Sequence, residues 1–142
     1  MLKKVLLPIL ILGVVGFGLI QLLPFGRNLS NPPVVREPAW DSPATRVLAQ
    51  RACFDCHSNE VAWPWYTRLA PASWLMEADV RGARNHFNFS DWYPGDVDID
   101  EVEEVLASGE MPPIQYRLMH KDARLTDAER QQLIDGLART LE

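Results

Sequence analysis

Cys53, Cys56 and His57 stand together in the run Cys53-Phe54-Asp55-Cys56-His57. Two thiols at this spacing, followed at once by an imidazole, are what both sulfurs need to add across the vinyl groups of one haem while the histidine ligates its iron. The chain of 142 residues has 2 cysteines, and both lie in this run. None is left for a disulfide or for a second attachment, so the expected cofactor is a single covalent haem c. Two other chemistries use a C-x-x-C pair. Half of a zinc site would need further ligands at tight spacing, and the remaining histidines, His86 and His120, are widely separated. A thioredoxin-like redox pair would need a strand-helix-strand setting, which the surrounding sequence lacks.

A haem iron held by His57 needs something on its other face. Gly109-Glu110-Met111-Pro112-Pro113 supplies a methionine stiffened by two following prolines, a short rigid loop suited to presenting a thioether, and Met111 is the expected distal ligand. A soft sulfur opposite an imidazole favours ferrous iron and raises the potential. The plainer reading of Met111 is a core methionine filling a gap, and Met76 and Met119 have no comparably rigid setting. His120 or His86 would instead give a bis-histidine iron of lower potential. Between the two ligands lies an aromatic block, from which Trp63, Trp65, Tyr66, Trp74 and Trp92 are candidate haem-pocket residues. Their buried N–H and O–H groups would need acceptors, and haem propionates are suitable ones. Arg68, Arg81 and Arg84 are candidate propionate partners, read otherwise as surface cations.

These groups have to be carried by something. Ser42-Pro43 followed by Ala44, Val47, Leu48 and Ala52 predicts a capped helix that delivers Cys53. Asp98 to Glu101 predicts another start, with Val102, Val105 and Leu106 on one face and Gly109 as its stop. Thr126-Asp127-Ala128-Glu129 is a T-x-x-E box opening a last helix with Leu133, Ile134, Leu137 and Leu141 inward. Strand-like alternation is nearly absent. The expected fold is all-α, a cytochrome c-like domain of three to five short helices over residues 41–142, about a hundred residues and near the usual size for one core.

Ahead of it, residues 1–23 open with Lys3 and Lys4 and continue through the apolar stretch Val5 to Leu23. At ~1.5 Å per residue this nearly matches a hydrocarbon core of roughly 30 Å. The stretch ends without a small-residue cleavage site, which favours an uncleaved single-pass anchor over a signal peptide. The two lysines would stay in the cytoplasm, leaving everything beyond on the extracytoplasmic side. Residues 24–40, with Pro24, Pro32, Pro33 and Pro38, predict an extended tether that could reach up to ~50 Å. With Lys3 and Lys4 set apart from the 14 basic residues, 12 face 19 acidic ones, which makes nucleic acid an unsuitable partner.

Six separated segments occur in order: Cys53 to Glu60, Trp63-Pro64-Trp65-Tyr66, Ala70-Pro71-Ala72-Ser73-Trp74, Asn88-Phe89-Ser90-Asp91-Trp92, Gly109 to Pro113, and His120 to Thr126. From about Arg51 to Leu137 the chain thereby resembles the haem-binding domain family of small bacterial membrane-anchored monohaem c-type cytochromes. The resemblance implies Cys53 and Cys56 as thioether sites, His57 as the proximal ligand and Met111 opposite it. Members often carry a histidine where this chain has Asp79, and its absence removes that position as a ligand.

The function expected is one-electron transfer between redox proteins at the extracytoplasmic face of a bacterial membrane, with no bond chemistry and so no enzyme activity. Asp96, Asp98, Asp100, Glu101, Glu103 and Glu104 would attract a basic docking surface, or would merely face water at a helix N-terminus. The alternatives are a fixed haem subunit of a larger respiratory or photosynthetic membrane complex, and a peroxidase or gas sensor with an open distal site.

Overall fold

A computed structural model describes residues 2–95 and 97–141. Among these residues the chain is all-α, as expected. It has seven α-helices, and its only β pairing is a single bridge between Arg36 and Asp91. The helices are α1 (Leu2–Ile20), α2 (Pro43–Ala52), α3 (Phe54–His57), α4 (Ala72–His86), α5 (Ile99–Ala107), α6 (Ile114–Met119) and α7 (Asp127–Leu141). The chain divides into two compact units. One comprises Met1–Leu29 and Trp63–Asp79, the other Ser30–Ala62 and Val80–Glu142.

In the second unit, α2 begins where its cap requires. The Ser42 hydroxyl accepts from the Thr45 N–H at 3.2 Å, and Pro43 occupies the first turn, where no backbone donor is needed. Its buried stripe is Thr45, Leu48, Ala49 and Ala52. Val47, placed on that stripe by the sequence reading, is instead 52% exposed. The rotation has a cause in α7. A Cβ on Gly136 would collide with the Thr45 side chain, so α2 and α7 approach closely where both side chains are small. Leu133, Ile134, Leu137 and Leu141 of α7 join Leu48, Phe54, Phe89, Trp92 and Leu106 in one core, an apolar burial of the kind that dominates folding free energy. The α7 start is a complete capping box: Glu129 N–H donates to the Thr126 hydroxyl at 3.2 Å, and the Thr126 N–H and hydroxyl donate to Glu129 Oε2 at 2.8 and 3.0 Å. Helix α5 starts at Asp98, whose carboxylate accepts from Asp100 N–H, and stops at Gly109, whose φ of +75° favours glycine.

Residues 30–40 are extended but not loose. Asn31 Nδ2 donates to Val61 O, Val35 N–H to Ser90 O, and Trp92 N–H to Arg36 O, at 2.8 to 3.0 Å. Polar backbone with no helix or sheet of its own finds partners on the folded unit, so this segment is a strap and not a free tether.

The first unit contains α1, whose large apolar side chains from Val5 to Leu19 are half exposed or more. Lys3–Ile20 is long and apolar enough to cross a membrane by length and composition. Beyond it, the Gln21 amide exchanges two hydrogen bonds with the Ala70 backbone, at 2.9 and 3.1 Å. Phe25 meets Trp74 edge-on at 6.4 Å. Gly26, with φ of +68°, lies so close to the Ser73 and Trp74 backbone that no Cβ would fit.

Candidate haem-attachment site

Helix α2 ends at Ala52, and Cys53 both closes it and opens the single turn of α3, which carries Asp55, Cys56 and His57. Cys56 and His57 N–H groups donate to Cys53 O at 3.0 and 2.8 Å, so the pentapeptide is wound into one turn with both sulfurs and the imidazole on a short arc. Both cysteines are half-buried and form no disulfide. Burial, and then the neighbouring Cys56, push the Cys53 thiol up to about 12. Burial holds His57 down to about 4, against an opposing hydrogen bond to Phe87 O, so the ring is neutral.

The orientation of His57 bears on iron ligation. Its Nδ1 lies 3.3 Å from Phe87 O, and since a carbonyl can only accept, Nδ1 is the protonated nitrogen. Nε2 is left with its lone pair. This is the state that a metal-ligating histidine needs, with its second nitrogen tied to a carbonyl. Phe87 also stacks on the imidazole at 4.0 Å and 15°, which limits rotation. The donor set of two thiols and a neutral, oriented imidazole fits a haem.

The turn is held by residues that no ligand search by type would select. Ser58 hydroxyl donates to Phe54 O at 2.8 Å, Asn59 N–H to Ser90 Oγ at 2.9 Å, Phe89 N–H to His57 O at 2.8 Å, and Asn88 Nδ2 to Asn59 Oδ1 at 3.0 Å. Ser58 and Ser90 are fully buried and Asn59 nearly so. Two of the sequence segments, one ending in Ser58-Asn59-Glu60 and one beginning Asn88-Phe89-Ser90, are therefore partners in a single hydrogen-bonded seam behind the imidazole. The signal in the sequence was small polar residues beside buried aromatics.

The candidate pocket residues are distributed differently. Arg84 donates through Nε to Ser58 O at 2.9 Å and reaches Ser30 O with its terminal nitrogens, so it braces the residue after His57. Trp92 is 5% exposed and stacks on Phe89 within the hydrophobic core. Trp63, Trp65, Tyr66, Arg68 and Trp74 belong to the other unit, where Trp65 is 75% exposed and Arg68 is exposed. Trp74 Nε1 is a buried donor with no partner among the described residues. Asp79, in the same unit, has its carboxyl raised by burial, and Arg81 is exposed.

Met111 is 38% exposed and donates its N–H to Val105 O at 3.0 Å. It borders a cavity of about 300 Å³ together with Leu106, Pro112, Ile114, Arg117 and Leu125. Cys53, Cys56 and His57 are not among that cavity's walls. His120 stacks on Tyr116 at 4.1 Å, with Nδ1 3.9 Å from Asp55 Oδ2. His86 is exposed at the end of α4. Among the described residues no three His, Cys, Asp or Glu side chains converge on a metal-sized site.

A model of the haem-binding domain matches residues 15–139. The chain belongs to the haem-binding domain family. It is a haem protein on that ground. The chain is also 25% identical over 100 residues to the cytochrome c peroxidase Ccp of Escherichia coli (strain K12), a match covering 65% of this chain and 22% of the relative. This haem-binding domain thus spans about a fifth of the length of that curated relative. No solved structure matches it.

Proposed function

We propose that this haem-binding domain is a membrane-anchored monohaem c-type cytochrome that passes single electrons between redox proteins on the extracytoplasmic side of a bacterial membrane. The observation that carries the reading is the attachment turn, in which two cysteines precede an imidazole whose Nδ1 is bound and whose Nε2 is left to ligate. Bound there, haem supplies a one-electron ferric–ferrous couple, which a histidine and a thioether on opposite faces would bias toward the reduced form. Cys53 and Cys56 fix the porphyrin covalently, and His57 orients through Phe87 O. Met111, in a loop tied at Val105 O and stiffened by Pro112 and Pro113, would supply a thioether ligand. With His57 and Met111 both holding the iron, the chain's residues would bind and orient and would make or break no substrate bond.

Helix α1 supports anchoring, with Lys3 and Lys4 on the cytoplasmic side. Exposed Asp98, Asp100, Glu101, Glu103 and Glu104 on and before the first turns of α5 make a negative surface for a basic partner. Asp96 lies outside the described residues. Electron transfer to such a partner slows as salt rises, whereas a fixed subunit of a larger complex copurifies stoichiometrically and is insensitive to salt.

The test is the purified full-length protein. On a denaturing gel, haem stain should stay with the chain and disappear in Cys53→Ser/Cys56→Ser. The ferric spectrum should carry the weak far-red sulfur-to-iron band and lose it in Met111→Ala. Absence of the band in the parent protein, or its survival in the variant, overturns Met111 as ligand. One observation favours a second reading, that the relative is named a peroxidase. A peroxide-reducing haem would bind carbon monoxide and cyanide rapidly without any substitution at Met111.

A further inference from the structure

Asp55 is one of the two residues between the cysteines, and both of its carboxylate oxygens accept hydrogen bonds. Oδ1 accepts from Ala62 N–H at 2.9 Å, and Oδ2 accepts from the Tyr116 hydroxyl at 2.6 Å. The second distance is that of a short, charge-assisted bond, roughly twice the strength of a neutral one. Tyr116 sits in α6, which starts directly after Pro113. Its neighbour Arg117 donates back to Gly109 O at 3.2 Å, so Gly109 to Arg117 is a closed loop with Met111 inside it. His120 lies flat on the Tyr116 ring and turns Nδ1 toward the same carboxylate oxygen. The bond between Tyr116 and Asp55 therefore joins the loop carrying Met111 to the turn carrying both cysteines.

We infer that the Tyr116–Asp55 hydrogen bond, braced by the His120 ring, is a latch that holds the Met111 loop closed, making Tyr116 a positioning residue for the distal ligand. The inference rests on the reading of Met111 as that ligand. Its chemistry follows from the ligand's softness. A thioether is a poor donor to ferric iron, so in the oxidised protein the loop, more than the sulfur, keeps competitors out. Asp55 is covalently continuous with the thioether attachment and Tyr116 with the methionine loop. Cutting the bond between them lets the loop swing away without disturbing attachment or His57.

The experiment uses the full-length ferric holoprotein with imidazole as the probe, following displacement of the far-red band by stopped flow, with thermal unfolding measured on the same samples. Tyr116→Phe should retain the band and bind imidazole about tenfold faster, the factor expected when a hydrogen bond to a charged group is lost. Asp55→Asn, which keeps an acceptor for Ala62, should accelerate displacement less. The double variant should equal Tyr116→Phe alone, because both substitutions act through one bond. Thr126→Ala, which weakens the distant α7 cap, should lower the unfolding temperature and leave displacement unchanged. If the parent protein lacks the band, the ligand reading falls and the latch with it. If the parent shows the band and Tyr116→Phe binds imidazole at the parent rate, or if the effects of the two substitutions multiply, the latch alone is overturned.

Discussion

At the scale of single residues, the side chains that hold the attachment turn differ from those that would do its chemistry. Asn88 shows the distinction. Its amide donates to Asn59 Oδ1 and its carbonyl oxygen accepts from Ser90 N–H at 2.9 Å, so one side chain satisfies a polar group on each side of the seam. Replacing it leaves partners in a buried setting unsatisfied, which costs about 1–3 kcal/mol. Asn88→Ala should lower stability by that amount in denaturant titration, while Asn88→Asp, which keeps the acceptor and loses the donor, should fall between it and the parent. The turn itself was legible from spacing alone, because Cys53, Cys56 and His57 fall within a single helical turn. Asn88, Ser90 and Arg84 were not. Their role depends on the chain returning to His57 from far along the sequence, and a sequence read in order carries no such information. Arg84, like Arg68 and Arg81, is a candidate propionate partner in the sequence because its charge could neutralise a carboxylate. Its acceptors turned out to be the backbone carbonyls of Ser58 and Ser30.

At the scale of elements, three helices announced themselves by caps. The T-x-x-E box of α7 is the clearest, and it does more than close a helix end. Arg51 of α2 donates to Glu129 Oε1 at 2.6 Å and to Asp122 O at 3.0 Å, so the box residue also bridges two helices. The Arg51 hydrogen bond, and then those from the Thr126 backbone and hydroxyl, hold the Glu129 carboxyl down to about 2. A carboxylate lowered on folding stabilises above its ordinary value near 4.5 and loses that contribution as pH falls toward the folded value. The parent protein should therefore lose stability between pH 4.5 and about 2 more steeply than Glu129→Gln, and the two unfolding curves should converge at the acid end. Thr126→Ala should cost about 1 kcal/mol at neutral pH, as loss of a cap does. Helices α4 and α6 escaped notice for a common reason. Leu75 in α4, and Ile114, Leu118 and Met119 in α6, are all more than half exposed. Periodicity finds helices whose buried face is apolar; α6 buries no residue, and the buried side of α4 mixes the polar Ser73 with Val80. Among the described residues six α-helices follow α1, where three to five were expected.

At the scale of the whole molecule, the anchor is argued from length, composition and exposure, and each can be challenged together. The full-length chain expressed in a bacterial host should stay in the membrane pellet after alkaline carbonate extraction. Leu10→Lys/Val14→Lys, which adds two charges mid-span at about 2.5–3.5 kcal/mol each on insertion scales, should move it to the supernatant. Mass measurement of the membrane-bound form should find residues 1–23 still present. A mature chain beginning near Pro24 would overturn the uncleaved anchor.

The seam between Ser58-Asn59 and Asn88-Phe89-Ser90 has a topological consequence. Two strands of chain stitched to one another at both ends of a long stretch make everything between them, from Glu60 to Phe87, a detour. The chain leaves the attachment turn and comes back to within a hydrogen bond of where it left. Closing such a detour becomes only slowly more unfavourable with its length, roughly 0.6 kcal/mol per doubling. The part of it from Trp63 to Asp79, the whole contribution of this region to the first unit, holds none of the residues that grip His57, because Arg84 and Phe87 lie beyond it. It could be lengthened, shortened or exchanged while His57 keeps its aim.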